Sequence, residues 1–123
     1  MATIALTQEN VESLIQESGT IIIDFWAEWC GPCRAFGPTF EAASEKHSGV
    51  VFAKCDTEAE QEVAAMFQVR SIPMIVVFRD GVALFQQSGA LPPAALDELL
   101  QKVSEIDMDE VRKQVEVAQA ADE

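Results

Sequence analysis

Asp24-Phe25-Trp26-Ala27-Glu28-Trp29-Cys30-Gly31-Pro32-Cys33 joins an apolar run to a closely spaced pair of cysteines. Upstream, Thr20-Ile21-Ile22-Ile23 leads into it, and the β-branched and aromatic content predicts a strand over 20–26, apolar on both faces as in the middle of a covered sheet. Downstream, Phe36, Phe40 and Ala43 share one face of a helix running towards His47. Cys30 therefore stands where a strand ends and a helix begins. The free backbone N–H groups and the helix dipole at such a junction favour a thiolate over a buried thiol. Two cysteines separated by two residues can close a small disulfide loop or share a metal, and the spacing leaves both open.

Asp24 interrupts the apolar run. A carboxylate between Ile23 and Phe25 is costly to bury unpaired, so its pKa is expected to rise until the neutral form is populated near neutral pH. That is the profile of a proton-transfer residue, set against an edge-strand aspartate that simply faces water.

Outward from this centre the chain reads as alternating strands and helices. Ile4-Ala5-Leu6 is a short strand, and Thr7 offers an N-cap to a helix carrying Val11, Leu14 and Ile15 that ends near Ser18-Gly19. Pro38 lies inside the helix after Cys33 and is expected to bend it. Val50 to Cys55 is the next strand, and Glu58 to Phe67 reads as a helix with Val63, Met66 and Phe67 inward. Met74 to Phe78 and Val82 to Phe85 flank Arg79-Asp80-Gly81, a strong hairpin signal. A last core helix starts near Pro92-Pro93 and carries Leu96, Leu99, Leu100 and Val103. The order predicts an α/β fold with a mixed sheet and helices on both faces.

The 123 residues suffice for one core but not for two ordinary domains. A net charge of −13, from 21 acidic against 8 basic residues, disfavours nucleic acid and anionic membranes as partners. No basic start with an apolar run opens the chain, and no window approaches the roughly 20 apolar residues of a membrane span, so a cytoplasmic location is expected. Three cysteines, two close together and Cys55 apart, fit a working dithiol in a reducing compartment. From Glu105 to Glu123 seven acidic and two basic residues surround Met108, Val111, Val115 and Ala118 at helical spacing, which predicts an additional amphipathic helix.

Taken together, the Trp-Cys-Gly-Pro-Cys stretch at 29–33, the strand bearing Asp24, Pro38, Lys54, Ser71-Ile72-Pro73 and Gly89-Ala90 resemble the thioredoxin family. The likeness covers roughly residues 4–103, so residues 1–104 are expected to form a thioredoxin domain and 105–123 an acidic helical extension. It departs from the family at Met74, often threonine there, and at Cys55, often aliphatic. The resemblance implies the thioredoxin fold, a central five-stranded mixed sheet with helices on both faces, plus here the extra C-terminal helix. It also implies protein-disulfide reductase activity by thiol–disulfide exchange. Cys30 is the expected attacking sulfur, being at the helix start and the more exposed thiol, and Cys33 the resolving one.

In the same reading Asp24 is the base for Cys33, with Lys54 tuning it. A cis Pro73 turns the Ile72 backbone towards the dithiol, and Trp29, Gly31, Pro32, Ile72, Gly89 and Ala90 form an apolar docking patch for a client strand. No bound cofactor is implied beyond a redox-active Cys30–Cys33 disulfide. Electrons are expected from NADPH through a thioredoxin reductase. That reductase and disulfide-containing client proteins are the expected partners of a monomer.

A zinc site is the first rival, but only His47 and Cys55 remain as further ligands, with no second spaced pair. Cys55 reads as a buried apolar filler and His47 as a surface residue at a helix end. The second rival is a client-binding or chaperone-like module in which the acidic tail binds and the dithiol is secondary.

Overall fold

In the computed structural model, which describes residues 2–121, the elements run β1 (Thr3–Ala5), α1 (Val11–Glu17), β2 (Thr20–Trp26), α2 (Gly31–Lys46), β3 (Val50–Asp56), α3 (Gln61–Met66), β4 (Met74–Arg79), β5 (Val82–Ser88), α4 (Pro93–Glu105) and α5 (Met108–Ala121). Met1 and the last two acidic residues of the tail, Asp122 and Glu123, lie outside the described residues. The strands form one sheet in the order β1-β3-β2-β4-β5. β2 is the middle strand, parallel to β3 and antiparallel to β4, so its β-branched residues have neighbours on both sides.

The period-two alternation of β2 divides the core into two layers. Ile21, Ile23 and Phe25 face α1 and α3, where they meet Val11, Val63 and the half-buried Phe67. Ile22 faces the other way, towards Phe36 and Phe40 of α2 and Leu96 and Leu100 of α4. Each of these side chains contributes roughly 1.5–3 kcal/mol by leaving water. Asp24 belongs by its parity to the α2 and α4 face and is completely buried there.

The hairpin between β4 and β5 turns through Asp80 and Gly81, both at positive φ (52° and 80°), the backbone of a type I′ turn. Arg79, just before it, closes the far end of the fold. Its Nη1 donates to the carbonyls of Val103 at 2.8 Å and Ile106 at 3.0 Å, where α4 ends. At the C-terminal end of α2, Lys46 and His47 both reach Asp97 of α4, at 2.7 and 2.8 Å. His47 is thus a half-buried bridge stacked beside Phe52, and not a surface residue.

Three local expectations change. α1 starts at Val11 and not directly after Thr7, because the Asn10 side chain turns back to accept the Thr7 N–H at 2.7 Å and the intervening residues form a turn. α3 starts at Gln61, since the Asp56 carboxylate accepts the N–H groups of Glu58 and Ala59 and holds them in a turn. Met66 is 64% exposed and not inward. The short α3 has a narrow buried stripe, and Phe67 fills it by packing on Phe25 and Phe78, with ring centroids 5.2 and 5.8 Å away.

The predicted tail helix is present as α5. Asp107 caps its start by accepting the N–H groups of Asp109 and Glu110, Met108 is buried, and Arg112 lies 3.6 Å from Asp80 of the hairpin. Farther along, Val117 is 70% exposed. The first turn of α5 is therefore anchored to the hairpin, and the later turns face outward.

Arg79→Ala would leave these carbonyls at the end of α4 without their charged donor. Thermal unfolding should show a loss of roughly 1–3 kcal/mol, the scale of hydrogen bonds to a charged group, and an unchanged midpoint would mean that Arg79 does not hold this end together.

Candidate active site

The dithiol lies at the C-terminal end of β2. Trp26 ends the strand, Ala27 turns inward with no exposure, and the Cys30 N–H donates to the Ala27 carbonyl at 3.1 Å. That short loop delivers Cys30 to the N-cap of α2, with Gly31 and Pro32 in its first turn, where proline's missing N–H is no loss. Cys30 Sγ accepts the Cys33 backbone N–H at 3.2 Å. A sulfur at this position takes the place of a capping oxygen, and the helix terminus stabilises it best when it is negatively charged.

Cys30 and Cys33 form a disulfide with Cα atoms 5.3 Å apart. Exposure does not separate them: the two residues are 4% and 3% exposed, because Cys30 packs with Ala27 and Ile72. What distinguishes Cys30 is the capping contact. Among the described residues no group of three or more His, Cys, Asp or Glu side chains gathers as a metal site. Cys55 is fully buried in the other core layer. Burial pushes its thiol up to about 12, with Glu60 and Asp56 adding to the rise. It is an inert filler.

The Ile72–Pro73 peptide bond is cis. The Ile72 carbonyl oxygen lies 3.8 Å from Cys30 Sγ, and Ile72 packs on the cysteine pair. The Pro73 carbonyl accepts the Gly89 N–H at 2.7 Å, which draws the loop after β5 to the same place. Gly89 has φ of +105°, a conformation that side-chain-bearing residues rarely adopt. Ala90 follows on the exposed side of that loop.

Trp29 is 70% exposed, and its indole Nε1 donates to Glu58 Oε1 at 2.8 Å. Between Trp29, Ala65, Val69, Ser71 and Ile72 runs an open groove of about 570 Å³. Glu58 was not signalled by the sequence as a partner of Trp29, since 29 residues separate them and nothing local links the two.

Asp24 is buried with neither carboxyl oxygen hydrogen-bonded. Desolvation pushes its pKa up to about 7, and the charge of Lys54 pulls the other way. Lys54 stands opposite Asp24 in the parallel register of β2 and β3. Its ammonium, however, lies over the Trp26 ring, 5.0 Å from the centroid. Trp26 falls inside the decisive sequence stretch, but its strand pattern gives no sign of this second role. The predicted residues thus divide into a group around the disulfide and, near the end of the strands, the buried Asp24 with its half-buried neighbour Lys54.

A capped sulfur closed on its neighbour, next to a cis-proline loop, can exchange two electrons as dithiol and disulfide. Comparison with known proteins agrees. The Thioredoxin family model matches residues 2–105. A protein described as putative thioredoxin 2 from Streptomyces coelicolor is 48% identical over 119 residues, covering 97% of this chain and 89% of the relative. Thioredoxin from Mycoplasma pneumoniae is 36% identical over 100 residues, covering 81% of this chain and 98% of its own. Among solved structures, Plasmodium falciparum thioredoxin superposes with a TM-score of 0.75 at 33% identity, covering 81% of this chain and 97% of that one. A mutant thioredoxin from Halobacterium salinarum gives 0.78 at 27% identity, with coverages of 85% and 93%. With its fold, its cysteine pair and these relatives, the chain belongs to the thioredoxin family of thiol–disulfide oxidoreductases.

Proposed function

We propose that the protein reduces protein disulfides, with Cys30 as the attacking thiolate, Cys33 as the resolving thiol and Asp24 as the base that frees Cys33. The observation that carries this assignment is the position of Cys30 Sγ at the N-cap of α2, accepting the Cys33 N–H. A free cysteine is only a few per cent thiolate at pH 7, and this contact favours the charged form.

The Cys30 thiolate attacks one sulfur of a client disulfide. One client thiolate leaves and a mixed disulfide forms. The Cys33 thiol then loses its proton towards the Asp24 carboxylate, and its sulfur attacks Cys30 Sγ. The second client thiolate departs, leaving the client with two more electrons and the protein with its Cys30–Cys33 disulfide. Because Cys33 is held in the adjacent turn, this second displacement runs at a high effective concentration.

A client segment is best accommodated by Trp29, Gly31, Pro32, Ile72, Pro73, Gly89 and Ala90. The backbone of Ile72 can pair with an extended strand, and the groove beside Trp29 receives flanking side chains. Regeneration requires two electrons, and NADPH through a thioredoxin reductase is the proposed source. Residues 1–104 act as the thioredoxin domain and 105–123 as an acidic extension. A monomer in the cytoplasm suits a protein whose third cysteine stays buried as a free thiol. The binding-only reading of the tail is not favoured in a family defined by its dithiol chemistry.

Reduction of a protein disulfide by a thioredoxin reductase and NADPH tests the assignment. Cys30→Ser should remove turnover, and Cys33→Ser should accumulate a mixed disulfide through Cys30; full activity of the first variant, or trapping through Cys33, would reverse the roles.

Asp24→Asn should slow the resolving step mainly above pH 7, where the carboxylate exists to accept the proton. The loss should fall towards the low end of the ~10²–10⁴-fold that a positioned base contributes. Identical pH–rate profiles for the two proteins would remove Asp24 from the mechanism.

A further inference from the structure

Among the described residues Lys54 is the positive charge that acts on Asp24, yet the two are not paired. They are direct neighbours across the β2–β3 ladder, while both oxygens of Asp24 lack a partner. The lysine instead leans one pair along the strands to Trp26, the residue two beyond Asp24 on the same face of β2. On this path Lys54 Nζ passes α2 beside Gly37, 3.8 Å from where a Cβ would sit.

On β3, Asp56 stands opposite Trp26, two residues beyond Lys54, and its Oδ1 accepts the N–H groups of Glu58 and Ala59. β4 places Ile75 opposite Asp24, and α2 and α4 bring Phe36, Phe40, Leu96 and Leu100 to this face, all uncharged. The distance between Lys54 and Asp24 therefore decides how strongly the carboxyl is drawn to its charged form. An ammonium within ~4–6 Å lowers a neighbouring carboxyl's pKa by about 1–3 units.

We propose that Trp26 is a positioning residue for the dithiol reaction: its ring face holds the Lys54 ammonium away from Asp24, so that the carboxyl stays basic enough to take the proton of Cys33. A direct Lys54–Asp24 ion pair would make Asp24 a stronger acid and a poorer acceptor. A lysine with no hold would sample that pair. The ring attracts the cation through its quadrupole, and it does so without supplying a counter-charge that would neutralise it. Lys54 thus remains near enough to assist ionisation of Asp24 and too far to fix it. The catalytic consequence rests on Asp24 being the base, whereas the electrostatic claim does not.

The test follows the Asp24 carboxyl by carbon-13 NMR through a pH titration of the oxidised protein, in the wild type, Trp26→Leu, Trp26→Phe, Lys54→Met and Trp26→Leu/Lys54→Met. Trp26→Leu should lower the Asp24 midpoint by about one unit or more, the scale of a nearby opposite charge. Trp26→Phe, which keeps a ring face, should lower it less. Lys54→Met should raise the midpoint, and adding Trp26→Leu to it should change nothing further.

No shift in Trp26→Leu overturns the proposal. So does a shift of the same size in the Lys54→Met background, which would assign the effect to water reaching Asp24. If Trp26→Leu does not fold, tetrafluorinated tryptophan keeps the shape while weakening the ring's negative face. It should lower the midpoint only when Lys54 is present, and an unchanged midpoint again overturns the proposal. A midpoint that moves while the pH–rate profile stays fixed supports the role of Trp26 and rejects Asp24 as the base.

Discussion

Burying a carboxyl without a hydrogen-bond partner in the central strand of the sheet is the constraint on which the site depends. The residues on either side of Asp24, from Ile21 to Phe25, have no exposure, and no protein group donates to its oxygens. Burial favours the neutral carboxyl, which is why its pKa rises to about 7 despite a lysine across the ladder. A group poised there can accept a proton at neutral pH and give it up again at little cost. The stability sacrificed in the core is what makes the group useful.

The rest of the fold places the sulfur chemistry at the end of the same strand. β2 ends at Trp26, three residues before the dithiol loop, and α2 begins at Gly31, so the sulfurs lie at a strand end and a helix start together. The loop carrying cis Pro73 closes one side, and Gly89 ties the loop after β5 to it. Trp29 stands over the other side, braced by Glu58. The sheet holds these pieces in register while the groove between Trp29 and Ile72 stays open.

What could be read in the sequence was local. The β-branched run at 20–26, Asp80-Gly81 and Pro92-Pro93 each encode their structure within a few residues, and each element formed where they indicated. Pairings between distant residues were not legible. Nothing near Arg79 signals that it caps α4, and nothing near His47 signals Asp97. Met66 failed for a related reason, because Phe67 took the buried stripe by meeting aromatic partners on β2 and β4. At the site, the burial of Asp24 and the strand–helix position of Cys30 were legible from residue type and order. The direction of the Lys54 side chain was not, since it depends on which of two neighbours across the ladder attracts it.

The cost of burying Asp24 must vary with pH. In the unfolded chain Asp24 ionises near its ordinary value of 3.8, and in the folded protein near 7. The folded state therefore holds the proton more tightly. Its stability from this group is complete below the unfolded value and is lost as pH rises through 7. The measurement is the unfolding free energy of the wild type and Asp24→Asn between pH 3 and 9. The account predicts that the variant gains on the wild type from about pH 4 upward and levels off above about pH 7, by a total of roughly 4 kcal/mol at ~1.4 kcal/mol per pKa unit. A difference that stays constant across that range would show that Asp24 is not held neutral by burial.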